Sequence, residues 1–412
     1  MKAEIIAIGD EILYGQTLDT NSHWISGELD QINIKVSRKV TIGDNREQIL
    51  QAFKDAENNA DIILITGGLG PTSDDLTKPL LAEYFGVGYR NDEKALDQIF
   101  RIFNAAGKEV TELNKKQAEL PENCETIYNH LGTAPGMWFD VRGKVFVSMP
   151  GVPFEMKGMM TDVILPKLSS RSPFSISHRI VRTIGIGESN LQDIIKDWES
   201  ALPENVRLAY LPGMGQVKLR LTAIGRDADE LDKLADSEMK KVVPLIEKYV
   251  YGYGELEIQE FIGQLMMKHN ATLSIAESCT GGYLSSLITS IPGSSKYFKG
   301  TVVCYDNEVK INQLGVQGMD IERYGAVSEE VVRSMAEGVK SQLNTTLGLA
   351  ITGIAGPDGG TLEKPVGTVW LAYADTDKTI SKKIQLTKNR TLNIQYSSVA
   401  AMNLLRRYFK QQ

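Results

Sequence analysis

Several short aliphatic runs end abruptly in glycine, and this pattern constrains the fold more than any other feature. Ile5-Ile6-Ala7-Ile8 runs into Gly9, and Asp61-Ile62-Ile63-Leu64-Ile65-Thr66 runs into Gly67-Gly68. Leu347 to Thr352 leads into Gly353, and Thr272 to Ala276 opens the turn Ala276-Glu277-Ser278-Cys279-Thr280-Gly281-Gly282. Runs without polar alternation read as strands buried on both faces. Helix-like stretches separate them: 21–29 with Asn21 as N-cap, 46–58, 283–288, 328–344 and 392–408. Buried strands alternating with helices predict parallel α/β sheets covered on both sides. Such sheets bind ligands at the carboxyl ends of their strands, where these glycines lie.

The chain has 412 residues, enough for two or three domains. Residues 1–170 and 255–412 read as α/β domains with largely parallel sheets. Residues 171–254 change character after the linker-like Ser169-Ser170-Arg171-Ser172-Pro173. A strand, a helix, a hairpin around Pro212-Gly213-Met214-Gly215 and a long helix through Pro244 predict a small α+β module without a catalytic cluster. A net charge of −7 argues against a generic nucleic-acid surface. No apolar run approaches the ~20 residues of a membrane span. The start reads as a strand rather than a signal peptide. Three cysteines without a CxxC pair fit a reducing cytosol and offer no thiolate zinc site. A cytoplasmic enzyme is the expectation.

A serine where a strand turns into a helix can be a nucleophile if a base reaches it. The chain has four histidines, and only His269 lies in the last domain. A Ser-His-Asp arrangement is therefore hard to build, whereas Ser-Lys variants need no histidine. Tyr305 and Lys310 supply the candidates: Lys310 sits where a first helical turn aims it back, and a tyrosine hydroxyl can relay a proton. Three alternatives stand beside this. Ser278 is a helix cap, Cys279 is the nucleophile with Lys310 as its cationic neighbour, or Tyr305 and Lys310 are an edge aromatic and a solvated lysine. The run Gly353-Ile354-Ala355-Gly356-Pro357 leaves another strand and permits close backbone approach to a phosphate or ribose.

In the first domain, Gly67-Gly68-Leu69-Gly70-Pro71-Thr72-Ser73-Asp74-Asp75 places glycines beside carboxylates. Phosphate-binding amides next to acids suit a divalent cation bridging a pyrophosphate. Gly9-Asp10-Glu11 and Asp19-Thr20-Asn21 add acids at another strand end. Helix capping is the other reading of these acids.

Residues 255–412 resemble the nicotinamide mononucleotide (NMN) amidohydrolase domain of the CinA, or competence/damage-inducible, family. The matching runs are AESCTGG, Tyr305-x-Asn307-x-x-Lys310, Gly325-Ala326-Val327-Ser328, Thr352-Gly353-Ile354-Ala355-Gly356-Pro357 and Pro365-Val366-Gly367-Thr368-Val369. The resemblance implies catalysis by Ser278, Tyr305 and Lys310 without a cofactor. It also implies substrate contacts from Cys279, Thr280, Gly281, Gly282, Gly353, Ala355, Gly356 and Pro357. Residues 1–165 resemble the molybdopterin-binding (MoaB/MogA-like) fold as found in the same family, through Ile8-Gly9-Asp10-Glu11, Asp19-Thr20-Asn21, the GGLGPTSDD run, Gly132-Thr133-Ala134-Pro135-Gly136 and Pro150-Gly151-Val152-Pro153. That resemblance implies hydrolysis of ADP-ribose to AMP and ribose 5-phosphate with a divalent metal (Mg, Mn or Co). Gly9, Asp10, Glu11, Asn21, Gly67, Gly68, Gly70 and Thr72 would contact substrate, with Asp74 and Asp75 at the metal. The middle module resembles a KH-type domain but lacks a GXXG loop with basic flanks, so it reads as a spacer or dimerisation element. The family implies a homodimer. The expectation is a bifunctional pyridine-nucleotide recycling enzyme, and the alternative is a nucleotide- or molybdopterin-binding scaffold with silent sites.

Overall fold

The computed structural model describes residues 1–72, 74–172 and 174–410. Ser73 of the glycine-rich run, Pro173 of the linker-like stretch and the last two residues lie outside the described residues. The chain packs as two compact units, Met1–Ser177 with Ile224–Leu231, and His178–Ala223 with the chain from Asp232 onward.

The first unit holds β1 (Lys2–Ile8), β2 (Lys35–Ile42), β3 (Ile62–Thr66), β4 (Tyr89–Asn91), β5 (Glu119–Pro121), β6 (Glu125–Ile127), β7 (Gly136–Val141) and β8 (Lys144–Met149). Its main sheet has the order β2-β1-β3-β8-β7-β6. The first four strands are parallel, and β7 and β6 continue antiparallel. Strands β4 and β5 pair separately. Both faces of β1 are buried. Ala3 and Ile5 pack with Ile25, Leu29 and Met156, whereas Ile6 and Ile8 pack with Ile49, Phe53 and Leu81 on the other side. A strand covered on both faces has no solvent side to mark with polar residues, hence the unbroken run. Burying each large aliphatic side chain contributes about 1.5–3 kcal/mol.

One local expectation is corrected. The helix Thr20–Gln31 is capped by Asp19, whose carboxylate accepts the Ser22 amide at 2.9 Å. Asn21 lies inside the first turn, buried, and donates to Thr66 Oγ1 at 3.0 Å and Gly151 O at 2.8 Å. It ties that helix to the ends of β3 and β8.

Strands β9 (Ser175–Ile184), β10 (Val206–Gly213), β11 (Gln216–Gly225) and β12 (Val250–Tyr253), most of whose residues belong to the second unit, form a sheet in the order β10-β11-β9-β12. The remaining strands are β13 (Leu273–Glu277), β14 (Phe298–Val303), β15 (Leu347–Gly353), β16 (Thr368–Ala374) and β17 (Thr379–Gln385), in the order β14-β13-β15-β16-β17. The first three are parallel and the last two antiparallel. Helices cover both faces, with Ile275, Leu349 and Ile351 toward one core and Ala276 and Ala350 toward the other.

Two buried arginines join the middle module to the last domain. Arg182 on β9 donates to Gly254 O at 2.7 Å and pairs with Glu255 at 2.7 Å and Glu257 at 2.8 Å. Arg406, on the closing helix Arg390–Phe409, donates to Lys248 O at 3.1 Å and Val250 O at 3.3 Å. The hairpin turn also meets that helix: a Cβ on Gly215 would lie 3.6 Å from Val399 and 3.7 Å from Tyr396. No helix among the described residues is long and apolar enough to cross a membrane.

Candidate functional site

β13 is the middle of three parallel strands, so its carboxyl end is flanked by the ends of β14 and β15. Ser278 follows it directly. The Ser278 amide donates to Ile351 O at 3.0 Å, and the Cys304 amide donates to Glu277 O at 2.8 Å. These bonds set Ser278 between Cys304-Tyr305 on one side and Thr352-Gly353 on the other. The side chain is 8% exposed, and no hydrogen bond engages its hydroxyl among the described residues.

The turn after Ser278 depends on left-handed backbone at Gly281 (φ 59°) and Gly282 (φ 100°). The Gly281 amide returns to Ser278 O at 3.1 Å, and the Tyr283 amide donates to Thr280 O at 3.0 Å. Glu277 is fully buried. Its carboxylate accepts the amides of Gly282 at 3.0 Å, Leu284 at 3.1 Å and Ser285 at 2.8 Å, and the Ser285 hydroxyl at 2.5 Å. The Gly281 and Gly282 amides are therefore both occupied by the protein's own oxygens. The Cys279 and Thr280 amides have no hydrogen bond among the described residues, and Thr280 Oγ1 is buried without a partner.

Lys310 lies in the helix Asn307–Leu314 and is 1% exposed. Its Nζ donates to Cys304 O at 2.8 Å, Tyr305 O at 3.2 Å and Asp306 O at 3.4 Å. The side chain does aim back, and it is buried rather than solvated. Burial pushes its pKa below the ordinary 10.5. Tyr305 is 60% exposed, and its hydroxyl accepts from Arg390 at 2.9 Å. Lys310 thus meets the Tyr305 carbonyl, and no hydrogen bond joins the Tyr305 hydroxyl to Lys310 or Ser278 among the described residues. The rival nucleophile loses ground, since burial pushes the Cys279 thiol up to about 12.

Arg390 gave no sequence signal, because it stands 85 residues from Tyr305. It also donates to Gly356 O at 2.9 Å, so it ties the β14 end to the second glycine-rich run. Within that run, a Cβ on Gly353 would lie 2.7 Å from Val369 and 3.1 Å from Cys279 Sγ. The Ala355 carbonyl accepts from Asn393 at 2.9 Å, and Pro357 is exposed.

The first unit has a cavity of about 540 Å³ at the carboxyl ends of β1 and β3. Gly9, Glu11, Asn21, Gly67, Gly68, Gly70, Asp74 and Asp75 line it, whereas Asp10 and Thr72 do not. The Gly68, Leu69 and Gly70 amides have no hydrogen bond among the described residues. The two predicted metal ligands part company. Asp75 Oδ2 accepts the Thr72 amide at 3.0 Å and the Thr72 hydroxyl at 2.5 Å, so it braces the turn. Asp74 is exposed on the cavity wall. Asp44 also lines the cavity; it follows β2 and Gly43 in the same strand-into-glycine pattern. Burial, and then the nearby Asp10, Glu11 and Asp74, push its carboxyl above the usual range.

Such hard oxygen donors suit Mg or Mn. No group of three acidic, histidine or cysteine side chains gathers as a ready cation cage among the described residues. A cation held by one or two carboxylates and the substrate's phosphates needs no such cage.

Known families match each part of the chain. Residues 4–170 match the probable molybdopterin binding domain, 178–252 the damage-inducible protein CinA KH domain, and 255–409 the CinA C-terminal domain. A CinA-like protein of Cytophaga hutchinsonii is 48% identical over 99% of this chain and 98% of its own. A putative competence-damage inducible protein of Clostridium botulinum is 38% identical over 100% of both chains. Among solved structures, the Thermoplasma acidophilum protein CinA is 36% identical over 41% of this chain and 97% of its own, with a TM-score of 0.37. With full-length similarity to relatives of that name and all three segments matched, the chain belongs to the CinA family.

Proposed function

We propose that the second unit deamidates NMN to nicotinic acid mononucleotide and ammonia, with Ser278 as nucleophile and Lys310 as base. The observation that carries this is the buried Lys310 amine, held by three backbone carbonyls beside the strand end that presents Ser278. A neutral amine offers two N–H groups and a lone pair. On taking the Ser278 proton at that lone pair it becomes an ammonium: two N–H groups stay on the backbone carbonyls, and the third faces the serine oxygen and can pass its proton on. Burial favours the neutral resting form, and the carbonyl cage favours the protonated product of the step.

Ser278 Oγ then bonds to the carboxamide carbon, and the former carbonyl oxygen takes the negative charge. The Cys279 and Thr280 amides are the donors available to it. The proton held by Lys310 passes to the departing nitrogen, ammonia leaves, and water releases the acyl group from Ser278. Arg390, with the Tyr305 hydroxyl beside it, is the cation suited to the substrate phosphate. Ser278→Ala should abolish ammonia release from NMN; wild-type release would remove this reading.

For the first unit we propose hydrolysis of ADP-ribose to AMP and ribose 5-phosphate. The Gly68, Leu69 and Gly70 amides receive the pyrophosphate. Asp74 and Asp44 would hold a divalent cation, which when bound neutralises phosphate charge. The observation that supports this is a cavity combining unbonded turn amides with carboxylates. The bracing role of Asp75 favours a second reading, a nucleotide- or molybdopterin-binding scaffold without hydrolysis. Incubating the full chain with ADP-ribose and Mg, Mn or Co separates the two, since only the first yields AMP.

A further inference from the structure

Glu277 stands immediately before the proposed nucleophile, is fully buried, and forms no ion pair among the described residues. A buried carboxylate without a cation is costly unless several donors satisfy it. Here four donors do so: three amides of the following turn and helix, and the Ser285 hydroxyl. Its main chain is held just as firmly, since its carbonyl accepts the Cys304 amide at 2.8 Å. One residue therefore fastens strand β13, its neighbour β14 and the helix Tyr283–Thr289 around the Ser278 backbone.

We infer that Glu277 is a positioning residue that sets the Ser278 turn, with its carboxylate filling the place at the helix start that an anion would otherwise take. This rests on the reading of Ser278 as nucleophile. The consequence is chemical as well as mechanical. With the Gly282, Leu284 and Ser285 amides occupied, developing negative charge at Ser278 is left to the Cys279 and Thr280 amides. A substrate phosphate must then bind elsewhere in the site.

The requirement is for a carboxylate rather than for an isosteric polar group. Glutamine at this position keeps one acceptor but turns N–H donors toward backbone N–H donors. Glu277→Gln should therefore keep its KM for NMN within about threefold while kcat falls about 100-fold, the scale of a misplaced reacting group. Its thermal unfolding should still be cooperative. Glu277→Asp keeps the charge on a shorter stem and should lose about tenfold in kcat. Ser285→Ala keeps the carboxylate and its three amide donors and should stay within about threefold.

Labelling by phenylmethanesulfonyl fluoride, followed by intact mass, reads Ser278 reactivity without NMN and should slow in parallel. If the wild type is active or labelled and Glu277→Gln matches it within twofold, the positioning role is overturned and the Ser278 reading stands. If Glu277→Gln does not fold, Glu277→Asp decides by the same twofold criterion. If the wild type neither releases ammonia nor is labelled at Ser278, the nucleophile reading fails and takes this inference with it.

Discussion

The two strand-end turns are built from the same sequence device and use it in opposite ways. After β3, the Gly68, Leu69 and Gly70 amides have no partner among the described residues and line a cavity. After β13, the protein supplies its own anion through Glu277, and among the described residues the Cys279 and Thr280 amides of that turn remain without a partner. The first arrangement suits a ligand that brings several negative charges. The second suits a reaction that develops one charge next to one hydroxyl. A glycine-rich turn after a buried strand thus marks a place for chemistry without naming it; the residue that precedes the turn decides what is left for a ligand.

The sharpest break in this comparison is Ser278→Ala, expected to cost at least about 1000-fold in NMN deamidation while leaving AMP formation from ADP-ribose unchanged. Parallel loss of both activities in a folded variant would mean the two turns do not act separately.

Next in size is Lys310→Met, with a similar loss of kcat and a stability cost of about 1–3 kcal/mol, because the carbonyls of Cys304, Tyr305 and Asp306 lose their donor. The pH dependence carries a sign. The folded pKa of Lys310 lies below 10.5, and only the neutral amine can take the serine proton. Deamidation should rise with pH through that depressed value, with the limb lying below 10.5 in a kcat–pH profile.

A paired glycine test compares the turns directly. A Cβ on Gly68 would lie 2.3 Å from Thr77 Oγ1 at φ 65°, whereas one on Gly281, at φ 59°, meets nothing within 4 Å. Gly68→Ala should cost about 1–3 kcal/mol and weaken ADP-ribose binding. Gly281→Ala should cost about 1 kcal/mol and hold deamidation within a few-fold. Denaturant midpoints and the two assays read both.

A test of stability against pH concerns Lys78, whose Nζ donates to Lys116 O at 2.6 Å. Burial lowers its pKa to about 8 from 10.5. Between these values the unfolded chain binds more protons than the folded one, so stability should rise with pH across that window. Lys78→Met should remove this slope from urea midpoints measured at pH 7, 8.5 and 10.

Much of this was legible in the sequence. Helix 46–58 and the strands that contain Ile5, Ile62 and Leu273 lie where aliphatic runs and polar spacing put them. Strand β17, Thr-Ile-Ser-Lys-Lys-Ile-Gln, was not legible, since an edge strand half open to water carries little apolar signal. Asn21 has the residue type of a cap, but capping and cross-linking draw on the same types; Asp19, two positions earlier, reaches the helix start instead. Ser278 and Lys310 were visible as types at a spacing, but the four donors on Glu277 were not. They depend on tertiary closure of the turn. Arg390 was invisible because its partners are distant in the chain.

The clasp of Arg182 and Arg406 bears on where this chain can be divided. Family matches change between residues 252 and 255, yet Arg406 spends its guanidinium on the carbonyls of Lys248 and Val250. Burial there lowers its pKa to about 10. A fragment begun at residue 255 would leave that cation without its acceptors, and Glu255 and Glu257 without Arg182. The boundary between the family matches and the boundary between the compact units are therefore different places.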